Sequence, residues 1–218
     1  AGDLADDDLV LPVGLIGTPV ALAEMVVSGD EEVALIAEVE HRLGRPVAAL
    51  MPLLAGGVVG VVPVAWAARL GLPLVDADGM GRVFPEYDHS TMRLAAVPPA
   101  PIVLVDGRGS VVAFAGPDER ALTRFARAAS TSMGGIAAIA AYPMPASVAR
   151  RATIAGSVSR SGRLGEASAP LERNPGGPVP AALRALDVGT GRVVDVRRVP
   201  DRWTSAVAVE CGTGATRR

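Results

Sequence analysis

The sequence predicts an α/β fold with a mostly parallel sheet, followed by a truncated β-rich carboxyl-terminal segment. Apolar runs at residues 9–13, 47–51 and 72–76 alternate with helical patterns, the strand-helix-strand order of right-handed crossover units. Ala169 to Pro180 holds four prolines and two glycines in twelve residues, which reads as a linker. Two strand-like runs follow it, Arg192 to Val199 and Ser205 to Glu210, around Pro200-Asp201-Arg202-Trp203. Two strands do not make a stable domain alone. The predicted division is therefore an α/β domain over 1–168, a linker over 169–181, and the start of an incomplete β-rich domain over 182–218.

Taken in order, Leu9 to Val13 is a short apolar strand closed by a turn at Gly14 and Gly17, and Pro19 opens a short helix through Val27. Asp30 to Leu43 is the clearest helix. Acidic residues crowd its first turn, Val33, Ile36, Ala37, Val39 and Leu43 recur at helical spacing, and Gly44 stops it. Val47 to Met51 is a second buried strand, Pro52 to Gly57 a loop, Val58 to Leu70 a helix closed by Gly71, and Leu72 to Asp76 a third strand. Ile102 to Val105 and Val111 to Phe114 flank Asp106-Gly107-Arg108-Gly109, a hairpin signal. Pro117 to Ala129 is an amphipathic helix. Gly135 to Ala141 carries no period that separates strand from buried helix. Ser147 to Ala152 and Ser157 to Ala167 are short helices.

Composition narrows the chemistry. Half of the 218 residues are hydrophobic and 20% are charged, so the chain can bury a sizeable core. A net charge of −2 and seven aromatic residues argue against a nucleic-acid or anionic-membrane partner. All 21 basic residues are Arg, so a phosphate-loop lysine and a Schiff-base lysine are impossible. No Gly-x-Ser-x-Gly or Gly-x-Gly-x-x-Gly occurs. Cys211 is alone, which suits a reducing compartment. Val47 to Ala68 runs 22 residues without a charge, long enough to span a bilayer. Pro52, Gly56, Gly57, Gly60 and Pro63 punctuate it, so it reads instead as strand, turn and helix. The acidic start, Asp3 with Asp6, Asp7 and Asp8, is unlike a cationic signal peptide. A cytoplasmic protein is expected.

The densest chemistry is Asp76-Ala77-Asp78-Gly79-Met80-Gly81-Arg82-Val83-Phe84-Pro85-Glu86-Tyr87-Asp88-His89. It follows the carboxyl end of a predicted parallel strand, where open α/β sheets place their ligands. Carboxylates, an arginine and a histidine so close together could bind a hard cation, orient a water, or take and give protons. Gly79 and Gly81 would let the backbone approach a ligand. The competing reading is a solvated Asp-Gly turn with Arg82 paired to a neighbouring acid. Gly17 and Thr18, leading from a strand into a helix, and Gly56 and Gly57, between strand and helix, are candidate anion-holding turns or ordinary tight turns.

Leu9-Val10-Leu11-Pro12-Val13 with Gly17-Thr18-Pro19, Ala49-Leu50-Met51-Pro52 with Gly56-Gly57, and above all Leu70 to Glu86 resemble the S-methyl thiohydantoin desulfurase-like family. Met133-Gly134-Gly135, Tyr142-Pro143-Met144 and Gly156-Ser157-Val158-Ser159-Arg160 extend the likeness to about residue 167, and Gly191 to Val196 resembles the opening of the family's second domain. The resemblance implies a three-layer α/β amino-terminal domain and a β-rich carboxyl-terminal one. It implies hydrolysis at a hydantoin-type ring carbon with loss of methanethiol. Asp76 or Asp78 would bind or deprotonate the water, Arg82 would stabilise negative charge, and Glu86 or His89 would handle protons. Gly17, Thr18, Gly56, Gly57, Gly79 and Gly81 would hold the substrate. A divalent metal at Asp76 and Asp78 is compatible with this set; the resemblance leaves the metal undetermined. Where the family usually offers a Glu and an Asn around this turn, the sequence has Leu54 and Val59. The alternative reading is a non-catalytic subunit or binding module. Implied partners are a hydantoin-type small molecule and either a second copy of the chain or hydantoinase and oxoprolinase subunits.

Overall fold

The computed structural model describes residues 4–18, 21, 29–84, 89–116, 118–174, 177–185, 191–198, 205–211 and 216–217. It divides into two compact units, Ala1–Arg163 and Leu164–Arg218. The elements of the first are β1 (Leu9–Gly17), α1 (Glu31–Leu43), β2 (Ala49–Pro52), α2 (Gly57–Leu70), β3 (Ala77–Asp78) and α3 (Thr91–Leu94). They continue with β4 (Ile102–Val105), β5 (Val111–Phe114), α4 (Glu119–Ser132), β6 (Ile136–Ala140), β7 (Met144–Pro145), α5 (Ala146–Ala152), β8 (Ile154–Ala155) and α6 (Ser157–Arg173), whose last turns belong to the second unit. The predicted helix from Pro19 to Val27 lies outside the described residues except at Ala21.

The central sheet has the order β2-β1-β6-β4-β5, with β7 also paired to β1. Only β1 and β2 pair in parallel; β6 runs antiparallel to both β1 and β4, and β5 antiparallel to β4. The sheet is therefore mixed, which corrects the expectation of a mostly parallel one. Two local causes account for the difference. The predicted third strand, Leu72 to Asp76, makes a single parallel bridge, Leu74 to Leu50. Pro73 has no N–H to extend it, and the Ala77 amide bonds back to Val75 at 2.8 Å, turning the chain away. Meanwhile Gly134 and Gly135 adopt φ of 97° and 89°, a reversal that returns the chain from α4 as β6. That segment, ambiguous in sequence, takes a place between β1 and β4 because all five of its residues are buried. Pairing with β6 also carries β1 past Gly14 to Gly17, opposite Ile136, so no turn forms at Gly14.

Side chains alternate across the sheet into two cores. Leu9, Leu11, Val13 and Leu15 of β1 pack with Leu35, Ile36 and Val39 of α1 and Trp66 and Ala67 of α2. Val10 and Ile16 share the other cluster with Met92 of α3, Leu122 and Ala126 of α4, and Ala146, Ala149 and Ala152 of α5. Each large side chain so buried contributes about 1.5–3 kcal/mol, so both faces of the sheet are anchored. Gly44 and Gly71 close α1 and α2 in the left-handed conformation, at φ of 65° and 66°, as their sequence positions predict. At the amino-terminal end of α1, Arg69 of α2 reaches Asp30 at 3.1 Å and the buried Glu32 at 3.2 Å, which locks the two helices together.

α6 extends to Arg173, so it takes in the opening of the predicted linker. In the second unit, β9 (Gly191–Arg198), β10 (Ser205–Cys211) and β11 (Thr216–Arg217) form a three-stranded antiparallel sheet. The predicted pair of strands is present, and its turn at residues 200–203 lies outside the described residues. No described helix is long and apolar enough to cross a membrane.

Candidate functional site

The acidic segment begins where the lone Leu50–Leu74 bridge ends. Asp76 is exposed, and both of its carboxylate oxygens face Ser159: Oδ1 accepts the Ser159 amide at 2.9 Å and Oδ2 its hydroxyl at 2.6 Å. Its backbone oxygen accepts the Gly156 amide at 2.7 Å. Asp76 thus caps the amino terminus of α6 from a distant part of the chain, where N–H groups lack intrahelical acceptors. Partial burial opposes ionisation; the Ser159 hydroxyl and amide, the Val158 amide and the Arg163 charge outweigh it and hold this carboxyl below its ordinary range.

Asp78 is fully buried. Its Oδ2 accepts three amides, from Ala55 at 2.8 Å, Met80 at 3.1 Å and Gly81 at 2.7 Å. The other oxygen, Oδ1, is buried and meets no hydrogen-bond donor among the described residues. Two of the amides belong to its own turn, which needs the left-handed φ of 68° at Gly81. The third ties that turn to the loop ahead of α2. Gly79 packs beneath it, donating to the Leu53 carbonyl at 3.2 Å and accepting the Thr91 amide at 2.8 Å. A side chain at Gly79 would collide with Met92, so this glycine serves close packing.

Beyond the turn Arg82 and Val83 are exposed and Phe84 is half-buried. The Arg82 guanidinium lies over the Phe84 ring, 5.2 Å from its centre, and the His89 ring meets the same phenyl edge-on at 5.9 Å, so Phe84 holds both groups in one cluster. Glu86 lies outside the described residues. Among the described residues no group of three or more His, Cys, Asp or Glu side chains is arranged to hold a metal ion.

The predicted ligand-holding residues separate into two groups. Gly17, Thr18, Gly56 and Gly57 come together around a cleft of about 300 Å³ that is also lined by Leu15, Ile16, Val58, Val59, Val83 and Ile136. Gly79 and Gly81 belong to the turn held by Asp78 and are not part of this lining. Asp76 borders a separate cavity of about 110 Å³ with Val10, Val75 and Arg150 among its walls. The cleft lies at the carboxyl ends of the parallel pair β1 and β2. There the sheet's backbone opens and the next helix begins.

Polar groups in the cleft are few. Among the described residues Thr18 supplies the single polar side chain in its lining; its Oγ1 accepts the Ala21 amide at 3.3 Å, which leaves the hydroxyl hydrogen to donate. The first intrahelical bond of α2 runs from Gly60 to Gly56 at 3.1 Å, so the amides of Gly57, Val58 and Val59 precede it. No side chain caps this helix and its first turn carries no acid. The walls are otherwise apolar. A side chain at Gly56 would come within 2.6 Å of Val83 Cγ2, which shows how closely the acidic segment wraps this turn.

Comparison with known families gives two matches. The model of the S-Me-THD-like amino-terminal domain matches residues 1–116, and that of the S-Me-THD-like carboxyl-terminal domain matches residues 117–212. The chain belongs to the S-Me-THD-like family. A crystal structure of an S-Me-THD-like chain's structural relative, a protein from Chromobacterium violaceum solved by a structural genomics consortium, is 26% identical with a TM-score of 0.73. The match covers 95% of this chain and 58% of that one, so the chain spans less than two thirds of that relative's length. No curated protein matches.

Within the S-Me-THD-like chain, sequence reasoning missed Leu15, Ile16, Val58, Val83 and Ile136 as cleft walls and Ser159, Ala55 and Met80 as partners of the two aspartates. Ile16, Val58 and Val83 had a local signal, their places beside Gly17, Gly57 and Arg82.

Proposed function

We propose that the chain belongs to a hydrolase for S-methylated hydantoin-type rings. Water adds to the ring carbon that bears the methylthio group, the C–S bond breaks, and the sulfur leaves with a proton as methanethiol. A ring carbonyl remains. One observation carries the reading: a cleft at the carboxyl ends of β1 and β2 into whose lining the uncapped start of α2 and the Thr18 hydroxyl both enter. Such donors suit negative charge developing on a ring heteroatom as water adds. The flat ring fits between glycine backbones at positions 17, 56 and 57.

In this reading Asp76 and Asp78 hold the site together, since Asp76 caps α6 and Asp78 secures the loop that opens α2. The family resemblance gives Arg82, Glu86 and His89 charge stabilisation and proton transfer; Arg82 and His89 lie against Phe84, next to the lining residue Val83 and outside the lining itself. A divalent ion at Asp78 Oδ1 would have only that oxygen from the described carboxylates. The single cysteine suits a cytoplasmic home for the enzyme.

A second reading is a binding module without turnover, associated with hydantoinase or oxoprolinase subunits. The commitment of the Asp76 oxygens and of Asp78 Oδ2 to hydrogen bonds within the fold favours it. The test is methanethiol release from an S-methyl thiohydantoin by this chain and by a version extended to its relative's length. Release by either supports the hydrolase. Binding by both with no release from either gives the module.

A further inference from the structure

The walls of the cleft define the substituent its occupant carries. Resting on the hydantoin-type reading above, we infer that the chain selects rings bearing an uncharged aliphatic substituent and rejects those bearing a carboxylate. Among the described residues no ionisable side chain enters the lining, whose side chains beyond Thr18 are Leu, Ile and Val. A carboxylate placed against them would lose its water without gaining a partner, whereas each methylene gains from leaving water. Arg82, one residue before the lining residue Val83, is held over Phe84 and does not belong to the lining. In this reading the polar ring edge takes the donors of the first turn of α2 and Thr18, and the substituent packs on aliphatic side chains of the lining such as Leu15, Val83 and Ile136. A volume of about 300 Å³ lies at the small end of ligand sites, which run from about 300 to 1,000 Å³. A compact ring with a short alkyl arm is the matching size.

Calorimetric titration of the purified chain with 5-methyl-, 5-isopropyl-, 5-isobutyl- and 5-carboxymethylhydantoin tests this without requiring turnover. Affinity is expected to rise about fourfold for each added carbon, about sixtyfold from methyl to isobutyl. The carboxymethyl compound should bind at least about tenfold more weakly than the methyl one. Val83 is 56% exposed, so Val83→Glu and Val83→Arg should leave the circular dichroism spectrum unchanged. V83E should flatten the alkyl series, and V83R should admit the carboxymethyl compound. A flat series in the unaltered chain, or carboxymethyl binding as tight as isobutyl, overturns the inference. The S-methyl thiohydantoins bearing the same four substituents are then offered for turnover. If the hydantoin series rises as expected and none of these releases methanethiol, the hydrolase reading fails and the ligand class stands. If they release methanethiol at the same kcat/KM for every substituent, the ligand class fails and the hydrolase stands.

Discussion

Asp78 shows what a single residue does here. One carboxylate oxygen gathers three backbone amides from two loops while the other has no donor among the described residues. Removing the side chain would strand all three amides, at about 1–3 kcal/mol for each that water cannot reach. Substituting asparagine keeps an acceptor for them and removes a buried charge, so lost charge assistance and relieved desolvation oppose each other. Asp78→Ala is therefore expected to lose at least about 3 kcal/mol of stability in urea unfolding, and Asp78→Asn less than about 1.5 kcal/mol. Equal stability of D78A and the unaltered chain would remove the brace. The sequence showed this residue as one acid among several. Its tie to Ala55, 23 residues away, is a product of the fold and leaves no local trace.

At the scale of elements, α6 begins on a borrowed cap. Gly156 offers no side chain, and Asp76 supplies the acceptor across 83 residues of sequence. Because hydrogen bonds and the Arg163 charge hold the Asp76 carboxyl below its ordinary range despite its partial burial, its contribution to stability is present above an unfolded pKa of about 3.9 and is lost as pH falls through the lower folded value. Asp106 is also lowered, burial again opposing and the Ser110 and Arg108 amides prevailing, so it adds to the same acid loss. Asp76→Asn isolates the first share. The stability difference between the unaltered chain and D76N should be constant near neutral pH and shrink below about pH 4; a difference that does not change with pH would mean that the cap does not depend on charge.

Some elements were legible and others were not, for reasons found in particular residues. Asp30 to Leu43 announced itself through acidic start, helical spacing and Gly44, and the Asp106–Gly109 turn through its Asp-Gly pair, where Asp106 Oδ1 accepts the Arg108 and Ser110 amides at 2.9 and 2.8 Å. Ile136 to Ala140 is uniformly apolar, and a segment buried on all sides carries no period. That one strand decided the direction of the sheet. Pro73 marked the weakness of the expected third strand, but a proline's effect on pairing depends on which edge it faces.

For the whole molecule, the family was readable in the segment from Leu70 to Glu86, while the cleft was readable only in part. Four of its ten described lining residues, Gly17, Thr18, Gly56 and Gly57, stood out as glycine-rich turns; the apolar walls looked like any other core. The expected convergence of carboxylates was replaced by a division of labour. Asp76 and Asp78 serve separate parts of the fold, and the cleft is built from backbone amides, one hydroxyl and aliphatic side chains. Its chemistry rests on whether a ring compound settles there. Amide signals in a nitrogen-15 NMR spectrum, followed during titration with an S-methyl thiohydantoin, decide this directly. The account predicts the largest shifts at Gly17, Thr18, Gly57 and Val58; shifts confined to other residues, with these four unmoved, would contradict it.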